Sequence, residues 1–334
     1  MHTAVVILNW NGRHMMERFL PSVVANTTGD AEVIVADNGS TDDSIVFLRT
    51  HYPSLRIIQL ERNYGFAEGY NRALAQVEAD CYVLLNDDVE VSPHWIEPVV
   101  EQMQQHPKTA ICQPKLLMYN QHDTFEYAGA AGGFIDRYGY PFCRGRIFDT
   151  VEKDQGQYDD ACEIFWASGA AMFVRSDLWH RLGGLDGDFF AHMEEIDFCW
   201  RAKNLGYRVE YCPRSAVYHL GGGTLPKSNP HKTYLNFRNN LCMLYKNLPA
   251  GHRLWVLTIR IMLDYVAAVK FLAERKPREF QAVFQAHRQY RKRKPSLRKK
   301  RAALNPHQVS CIYPGHLLVD YYLLHKKQYS TLKK

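Results

Sequence analysis

Short aliphatic runs alternate with helical patterns through the N-terminal part of this 334-residue chain, and this alternation limits the fold more than any other feature. Stretches such as Met15 to Val24 and Ala67 to Val77 space their apolar residues as a helix does. The runs between them are rich in Val, Ile and Leu, as strands are: Ala4 to Leu8, Glu32 to Ala36, Arg56 to Leu60 and Cys81 to Leu85. The order predicts an α/β fold with a parallel sheet and helices on both faces.

Polar and acidic residues follow each of the four predicted strands. They are Asn9 to Gly12, Asp37 to Asp42, Arg62 to Gly65 and Asn86 to Asp88. In open α/β sheets, ligands bind outside the carboxyl ends of the strands. These residues therefore predict a binding site along one edge of the sheet.

Two of these strand ends suggest a specific chemistry. Asp87 and Asp88 lie side by side after a buried strand, where they repel each other, lose hydration and need a cation. Mg²⁺ and Mn²⁺ prefer oxygen ligands and often bind substrate phosphates as well. The alternative is an acidic turn or helix N-cap.

Asp37 to Asp42 has the same two interpretations. The segment is either an Asx turn that opens the next helix, or a site where Asp37 accepts a hydrogen bond from a nucleobase and the helix N-terminus favours a diphosphate. Taken together, the two strand ends predict a site for a nucleoside diphosphate and a metal ion.

The pattern changes after the first four strands. Residues 110–220 are irregular, with Arg208 to Val217 predicted as a pair of short strands, and from about residue 231 the pattern is helical, as in Tyr234 to Leu248. Glycines and prolines around residue 225 predict a domain boundary there. We expect a first domain over residues 1–225 and a helical C-terminal region over residues 226–334.

The C-terminal region is predicted to associate with a membrane. Leu254 to Ala273 is apolar, but Arg260, Asp264 and Lys270 interrupt it, and charges are costly at the centre of a bilayer. A helix that lies on the membrane is therefore favoured over one that crosses it.

The net charge of +6 comes from a single segment, because residues 275–301 contain twelve Lys and Arg against one acid, Glu279. Such a basic segment is in general either a solvated charged surface or a contact for nucleic acid. Nucleic-acid modules usually add stacking aromatic residues, and Arg288 to Arg301 contains only Tyr290. An anionic inner leaflet is therefore the expected partner, and nucleic acid is not.

Eight cysteines are scattered with no CxxC pair, which argues against a zinc ribbon and against a disulfide framework. The N-terminus passes directly into Ala4 to Leu8 without a basic segment or a long apolar run, so no secretory signal is predicted. We expect a cytoplasmic protein, peripheral on the inner face of the cell membrane.

The ordered set of motifs resembles the inverting family 2 glycosyltransferases of the GT-A fold, which has a Rossmann-like, mostly parallel sheet. The rhamnosyltransferase-like branch of bacterial surface polysaccharide synthesis is the most similar, over roughly residues 3–245. Besides the four strand ends, the motifs are Asn63 to Ala67, Gly183 to Asp186, Glu194 to Arg201 and Tyr218-His219.

The resemblance implies an enzyme that transfers a sugar, possibly rhamnose, from a UDP-, dTDP- or GDP-sugar to a glycan or polyprenyl-diphosphate-linked acceptor, assisted by Mg²⁺ or Mn²⁺. It also implies roles for individual residues. Asp37 would bind the donor base, and Asp88 and His219 would bind the metal, whereas Asn86 stands where many relatives have a first Asp. The implied donor-binding set is Asn9, Asn11, Asp37, Asn38, Ser40, Asn63, Gly65, Asn86 and Asp87.

By the same resemblance, Glu195 occupies the position of the catalytic base, where the family usually has Asp. Its extra methylene changes the reach of the carboxylate, so Glu194 and Asp197 remain alternatives. Arg201 follows Asp197 by four residues and forms either an i,i+4 ion pair or a phosphate contact. Trp166, Gly169 and Asp186 are the expected acceptor residues, with strand packing and core burial as the competing explanation.

Two other functional classes compete with glycosyl transfer. A nucleotidyltransferase would share the metal and nucleotide site but should have a Gly-rich basic loop after the first strand, and Asn9 to Gly12 is no such loop. A noncatalytic, polybasic membrane adaptor would leave the clustered acids unexplained.

Overall fold

The computed structural model of the protein describes residues 1–221 and 229–332. Its first half has the predicted alternation of strands and helices. The elements are β1 (Thr3–Asn9), α1 (Arg13–Asn26), β2 (Ala31–Asp37), α2 (Ser44–His51), β3 (Arg56–Gln59), α3 (Gly65–Leu74) and β4 (Cys81–Leu85). The four strands are parallel and lie side by side in the order β4-β1-β2-β3.

Further strands and two helices follow β4. They are β5 (Val89–Val91), α4 (Glu97–Gln105), β6 (Thr109–Met118), β7 (Gln121–Phe125), β8 (Gly133–Asp136), β9 (Pro141–Cys143), β10 (Arg146–Ile147), β11 (Thr150–Val151), β12 (Cys162–Ile164), β13 (Ala171–Arg175) and α5 (Ser176–Leu182). The next elements are α6 (Glu194–Asn204) and β14 (Arg208–His219).

The central sheet has the order β12-β14-β6-β13-β4-β1-β2-β3. Strand β13 lies antiparallel between β4 and β6, whereas β14 is parallel to β6. The prediction of two short strands over Arg208 to Val217 was wrong, because β14 is one strand with a register shift between Cys212 and Ala216. Pro213 lies in the shifted segment, and a proline cannot donate to a ladder, so it is confined to such irregular positions.

Both faces of the sheet are buried. Val5 and Ile7 of β1 belong to one buried apolar cluster, whereas Ala4 and Val6 belong to another. Successive side chains of a strand point to opposite faces, so the two clusters lie on opposite sides of the sheet. The predicted GT-A-type α/β architecture is confirmed.

Three long helices form most of the C-terminal region: α7 (Pro230–Asn247), α8 (Ala250–Ala273) and α9 (Pro277–Ala302). The chain then returns to the N-terminal region, where β15 (Ile312–Tyr313) pairs with β8 at the edge of a second sheet with the order β11-β10-β9-β8-β15. The predicted domain boundary near residue 225 lies outside the described residues. Within residues 1–221 and 229–332, none of the helices has the length and apolar character needed to cross a membrane.

Candidate active site

The ends of β1 and β2 are joined through the side chains of Asn9 and Asp37, which are register partners. Asn9 Nδ2 donates to Asp37 Oδ1 at 3.0 Å, and the backbone N–H of Ser40 donates to Asp37 Oδ2 at 3.0 Å. Asp37 is only 2% exposed. The Asp37 carboxylate therefore holds the loop after β2. A nucleobase would have to bond to the acceptor positions of this carboxylate that remain free.

The other predicted donor-binding residues in the loops after β1, β2 and β3 also bond to one another. The Oδ1 atom of Asn11 accepts from the backbone N–H of Thr41 at 2.7 Å, and the backbone N–H of Asn11 donates to Ser40 Oγ at 2.9 Å. On the opposite side, Asn38 Nδ2 donates to Asn63 Oδ1 at 3.1 Å, and that oxygen also accepts from the Gly65 N–H at 2.8 Å. The structure thus brings this predicted set together at one edge of the sheet.

The turn after β4 meets the end of β14. Asp88 Oδ1 lies 3.0 Å from His219 Nε2, and Asn86 Nδ2 lies 3.3 Å from the same nitrogen. Glu126 Oε1 lies 3.4 Å from His219 Nδ1 on the other side of the ring. Sequence reasoning missed Glu126, because no pattern links it to a histidine 93 positions later in the chain.

The charges of this cluster shift two pKa values in opposite directions. Burial alone would raise the pKa of Asp88, but its hydrogen bond and ion pair with His219 lower it. Burial alone would lower the pKa of His219, but the charges of Glu126 and Asp88 raise it to about 10. Without a metal, the imidazole is therefore protonated near neutral pH.

The donor set at this turn fits part of a divalent metal shell. Asp88 and His219 bring an oxygen and a nitrogen ligand to one point, but no group of three or more His, Cys, Asp or Glu that could hold a metal occurs in residues 1–221 and 229–332. Mg²⁺ is commonly held by one or two carboxylates together with substrate phosphates. An incomplete protein shell of this kind suits a metal that arrives with a diphosphate, and its binding would displace the proton on His219.

Asp87 turns toward the loop after β1. A Cβ atom placed on Gly12 would lie 2.5 Å from Asp87 Oδ2 and 2.5 Å from Asn9 Oδ1. Burial, followed by the charge of Asp88, raises the pKa of Asp87 to about 7. A side chain at position 12 would therefore displace both neighbouring polar groups.

The two glutamates of the predicted base motif stand at the beginning of α6. Burial raises the pKa of Glu195 to about 7. Burial and the charge of Glu195 raise that of Glu194 further above its ordinary value. The Oε2 atom of each has no hydrogen-bond partner among the described residues, but Glu194 is buried whereas Glu195 is partly exposed. Glu195 therefore combines a buried, unpaired oxygen with a side chain that is partly exposed.

The loop before α6 has a strained backbone. Phe190, His192 and Met193 have φ angles of 67°, 69° and 73°, in the left-handed region that residues other than glycine rarely adopt. Helix α7 holds this loop: Asn239 Nδ2 lies 3.0, 2.9 and 2.8 Å from the carbonyl oxygens of Phe189, Ala191 and His192.

Sequence reasoning missed Asn239 and its neighbour Arg238, which donates to the Phe189 carbonyl at 2.9 Å. The available signal was a run of three polar residues, Arg238 to Asn240, within an amphipathic helix. All three are buried, and buried polar residues are uncommon unless they bond to a partner.

The same loop contacts the predicted donor side of the site. The carbonyl oxygen of Phe190 accepts from the backbone N–H of Phe66 at 2.8 Å, at the start of α3. The backbone N–H of Asn86 donates to the Ala170 carbonyl at 3.0 Å, and that of Ala167 lies 3.4 Å from Cys199 Sγ on α6. Through these contacts, α6 is connected both to the strand-end loops and to the turn of Asp88.

Asp197 has a different environment from the two glutamates. Its carboxylate is fully buried and accepts from Arg201 Nε at 2.9 Å, Lys246 Nζ at 2.9 Å and Asn247 Nδ2 at 2.8 Å. The i,i+4 ion pair to Arg201 is therefore present, and no oxygen faces an open space. These contacts give Asp197 a structural role between α6 and α7, and its assignment as an alternative base stays a prediction.

The three expected acceptor residues make contacts within the protein. Trp166 is buried, and its Nε1 donates to the Phe134 carbonyl at 2.9 Å. Asp186 forms ion pairs with Lys246 at 2.5 Å and with Lys300, and these two cations lower its pKa strongly despite its burial. Gly169 packs against Phe66, whose Cζ would lie 3.0 Å from an added Cβ. These contacts favour core packing and ion pairing for Trp166 and Asp186, whereas Gly169 is partly exposed, and an acceptor role stays a prediction for all three.

Comparison with known proteins identifies the family. The model of glycosyl transferase family 2 matches residues 4–152, and that of glycosyl transferase family group 2 matches residues 82–228. The chain is 26% identical over 233 residues to the N-acetylglucosaminyl-diphospho-decaprenol L-rhamnosyltransferase of Mycobacterium tuberculosis. This match covers 64% of this chain and 75% of that protein. It is 26% identical over 220 residues to rhamnosyltransferase WbbL of Escherichia coli, covering 62% of this chain and 80% of WbbL.

Solved structures share the fold at low sequence identity. The S. aureus TarS fragment in complex with UDP has a TM-score of 0.56 and 15% identity, and the match covers 98% of this chain and 93% of that chain. GalNAc-T7 with UDP, GalNAc and Mn²⁺ has a TM-score of 0.60 and 15% identity over 89% of this chain. The match spans only 57% of the GalNAc-T7 chain.

These matches decide against a nucleotidyltransferase and against a noncatalytic adaptor. They agree with the ordered motifs of the sequence and with the α/β architecture. The chain belongs to glycosyltransferase family 2, whose members transfer a sugar from a nucleotide-sugar donor.

Proposed function

We propose that this enzyme transfers a sugar, with inversion, to a hydroxyl of a lipid-linked or growing glycan in bacterial surface polysaccharide synthesis. The relatives named for rhamnosyl transfer, one of them onto a diphospho-decaprenol, support a polyprenyl-diphosphate-linked acceptor. They also support rhamnose as the first sugar to test. The donor is a nucleoside-diphosphate sugar.

Glu195 is the proposed base, and its environment is the observation that carries the proposal. Its pKa of about 7 lets it be ionised near neutral pH and still accept a proton. Glu195 removes the proton of the acceptor hydroxyl as the oxygen bonds to the anomeric carbon. The bond between that carbon and the diphosphate oxygen breaks at the same time, and the diphosphate leaves with the bonding electrons.

The strand-end network would hold the donor on the opposite side of the site. We assign the loop of Asp37 and Ser40 to the nucleoside, and Asp88 and His219 to the metal. When bound, Mg²⁺ or Mn²⁺ would neutralise the charge that develops on the departing diphosphate. Glu194, which is more buried than Glu195, would shape the pocket around the base.

The test is a transfer assay with the full chain, Mn²⁺, a panel of UDP-, dTDP- and GDP-sugars and a short-chain polyprenyl-diphosphate-linked acceptor. We expect one donor to give a product whose anomeric configuration, measured by NMR, is opposite to that of the donor. Glu195→Gln should abolish transfer but keep donor binding, whereas Glu101→Gln, a surface control that removes an exposed ion pair with Arg214, should keep both. Retention of configuration, or full activity of Glu195→Gln, would overturn the proposal.

A further inference from the structure

Helix α8 exposes an unusual amount of apolar surface. Six of its large apolar side chains are between 39% and 79% exposed: Leu254, Trp255, Met262, Val266, Val269 and Leu272. Contiguous apolar patches on soluble proteins commonly mark interaction sites. This surface therefore needs a partner.

Two of the three charged residues that interrupt α8 in the sequence, Arg260 and Asp264, face the protein, whereas Lys270 is exposed near the end of the helix. Arg260 Nε lies 2.8 Å from Asp264 Oδ1, and His287 Nε2 of α9 lies 3.0 Å from Asp264 Oδ2. Arg260, Asp264 and His287 are buried. The two charges in the middle of α8 are thus removed from the outer side of the helix.

The outer side forms one uncharged stripe. Residues three or four positions apart share a helix face, and the exposed positions follow this spacing: Trp255, Thr258, Met262, Val266, Val269 and Ala273. At 1.5 Å per residue the stripe is about 27 Å long. We call these six residues the α8 stripe.

A basic surface borders the α8 stripe. Tyr265, one turn from Met262 and from Val269, packs on Phe284 of α9 with the ring centroids 5.4 Å apart. Phe284 is 45% exposed. The exposed residues that follow it on the same side of α9 are Arg288, Arg291, Lys292, Arg298 and Lys299, which we call the α9 basic face.

The α9 basic face is not neutralised by the protein. Its five residues form no ion pair with an acid in residues 1–221 and 229–332. Two other basic residues of α9 are occupied by an acid: Arg293 pairs with Asp188 at 3.1 Å, and Lys300 pairs with Asp188 at 2.7 Å. The free charges therefore remain available to an external anion.

We propose that the α8 stripe lies in the interface of an anionic lipid bilayer and that the α9 basic face contacts its headgroups. An apolar helix face bordered by Lys and Arg is the usual form of an interfacial helix, and each basic residue adds attraction to anionic lipid. A second copy of the chain fits this surface less well, because two basic faces would repel each other. The proposal goes beyond sugar transfer and does not depend on the identity of the donor.

The experiment is co-sedimentation of the full chain with vesicles of phosphatidylcholine alone or with about 30% phosphatidylglycerol. We expect binding to the anionic vesicles only, weakened by salt. The triple variant M262S/V266S/V269S should lose at least about tenfold in binding, as should a variant with Gln at all five positions of the α9 basic face. Val46→Ser is the matched control, because Val46 is 66% exposed on α2.

All variants change exposed side chains, and unchanged melting temperatures and transfer to a soluble acceptor would show that they remain folded. Failure of sugar transfer by the wild-type chain would count against the proposed function and leave the vesicle result intact. The membrane proposal is overturned if the wild-type chain stays in the supernatant with anionic vesicles, or if the triple variant binds them as well as Val46→Ser. It is also overturned if light scattering shows a dimer that the triple variant converts to a monomer while vesicles are not bound.

Discussion

Asn239 offers a direct test of how the C-terminal helices position the catalytic base. One side-chain amide lies within 3.0 Å of three carbonyl oxygens in the strained loop before α6. It is fully buried. We predict that Asn239→Ala lowers kcat without abolishing folding, because the loop loses the donor that holds it.

The magnitude follows from these contacts. Arg238 still donates to the Phe189 carbonyl, so the carbonyls of Ala191 and His192 are left without this donor, and each such loss costs about 1–3 kcal/mol. The substitution would therefore destabilise this conformation of the loop by about 2–6 kcal/mol. Its left-handed residues cost about 1–3 kcal/mol each, so the loop should relax and shift the start of α6. A misplacement of about 1 Å can lower the rate about 100-fold, and we expect a fall in kcat of that order.

The assay compares Asn239→Ala with Asn240→Ala. Asn240 is the adjacent buried asparagine, and its Nδ2 donates to the Gly139 carbonyl at 2.7 Å, outside the loop. Both variants should lower the melting temperature, but only Asn239→Ala should lower kcat about 100-fold, with the KM for the donor nearly unchanged. Equal kcat values for the two variants would refute the reasoning.

Three further predictions concern the acids of the site. Glu195 has a pKa of about 7 and accepts a proton only when ionised, so kcat should fall as the pH drops below about 7; a flat profile from about pH 5 to 8 would exclude it as the base. Asp88→Asn should reduce Mn²⁺-stimulated turnover by about 100-fold or more, and unchanged stimulation in a metal titration would exclude Asp88 as a ligand. Asp197→Asn should lower the free energy of unfolding by about 3–5 kcal/mol, because it leaves buried cations unpaired; a loss below about 1 kcal/mol in urea unfolding would contradict the structural role.

The first half of the fold was predictable because it depends on local patterns. Val5 and Ile7 face one core while Ala4 and Val6 face the other, so the strand reads as a continuous apolar run, typical of a parallel sheet buried on both faces. The strand β14 was harder to predict. Its register shift after Cys212 depends on the pairing with β6, which no local pattern contains.

The candidate site shows the same division. The residues at the ends of β1, β2 and β4 were predictable as neighbours, since parallel strands end at one edge. The uses of Asp186 and Asp197 were not, because Lys246 and Lys300 reach them from helices far along the chain. The sequence left Glu194, Glu195 and Asp197 as alternatives, and only their different burial and partners separate them.

The sequence by itself determined the alternation of strands and helices in the first half, the polar edge of the sheet and the amphipathic and basic character of the C-terminal region, because periodicity and charge are local properties. Only the tertiary structure decided which charges are neutralised. Arg260 and Asp264 turn inward to His287, and Asn239 reaches the loop before α6. Such partners are chosen by packing between segments that are distant in the chain, where burial makes an unpaired polar group costly.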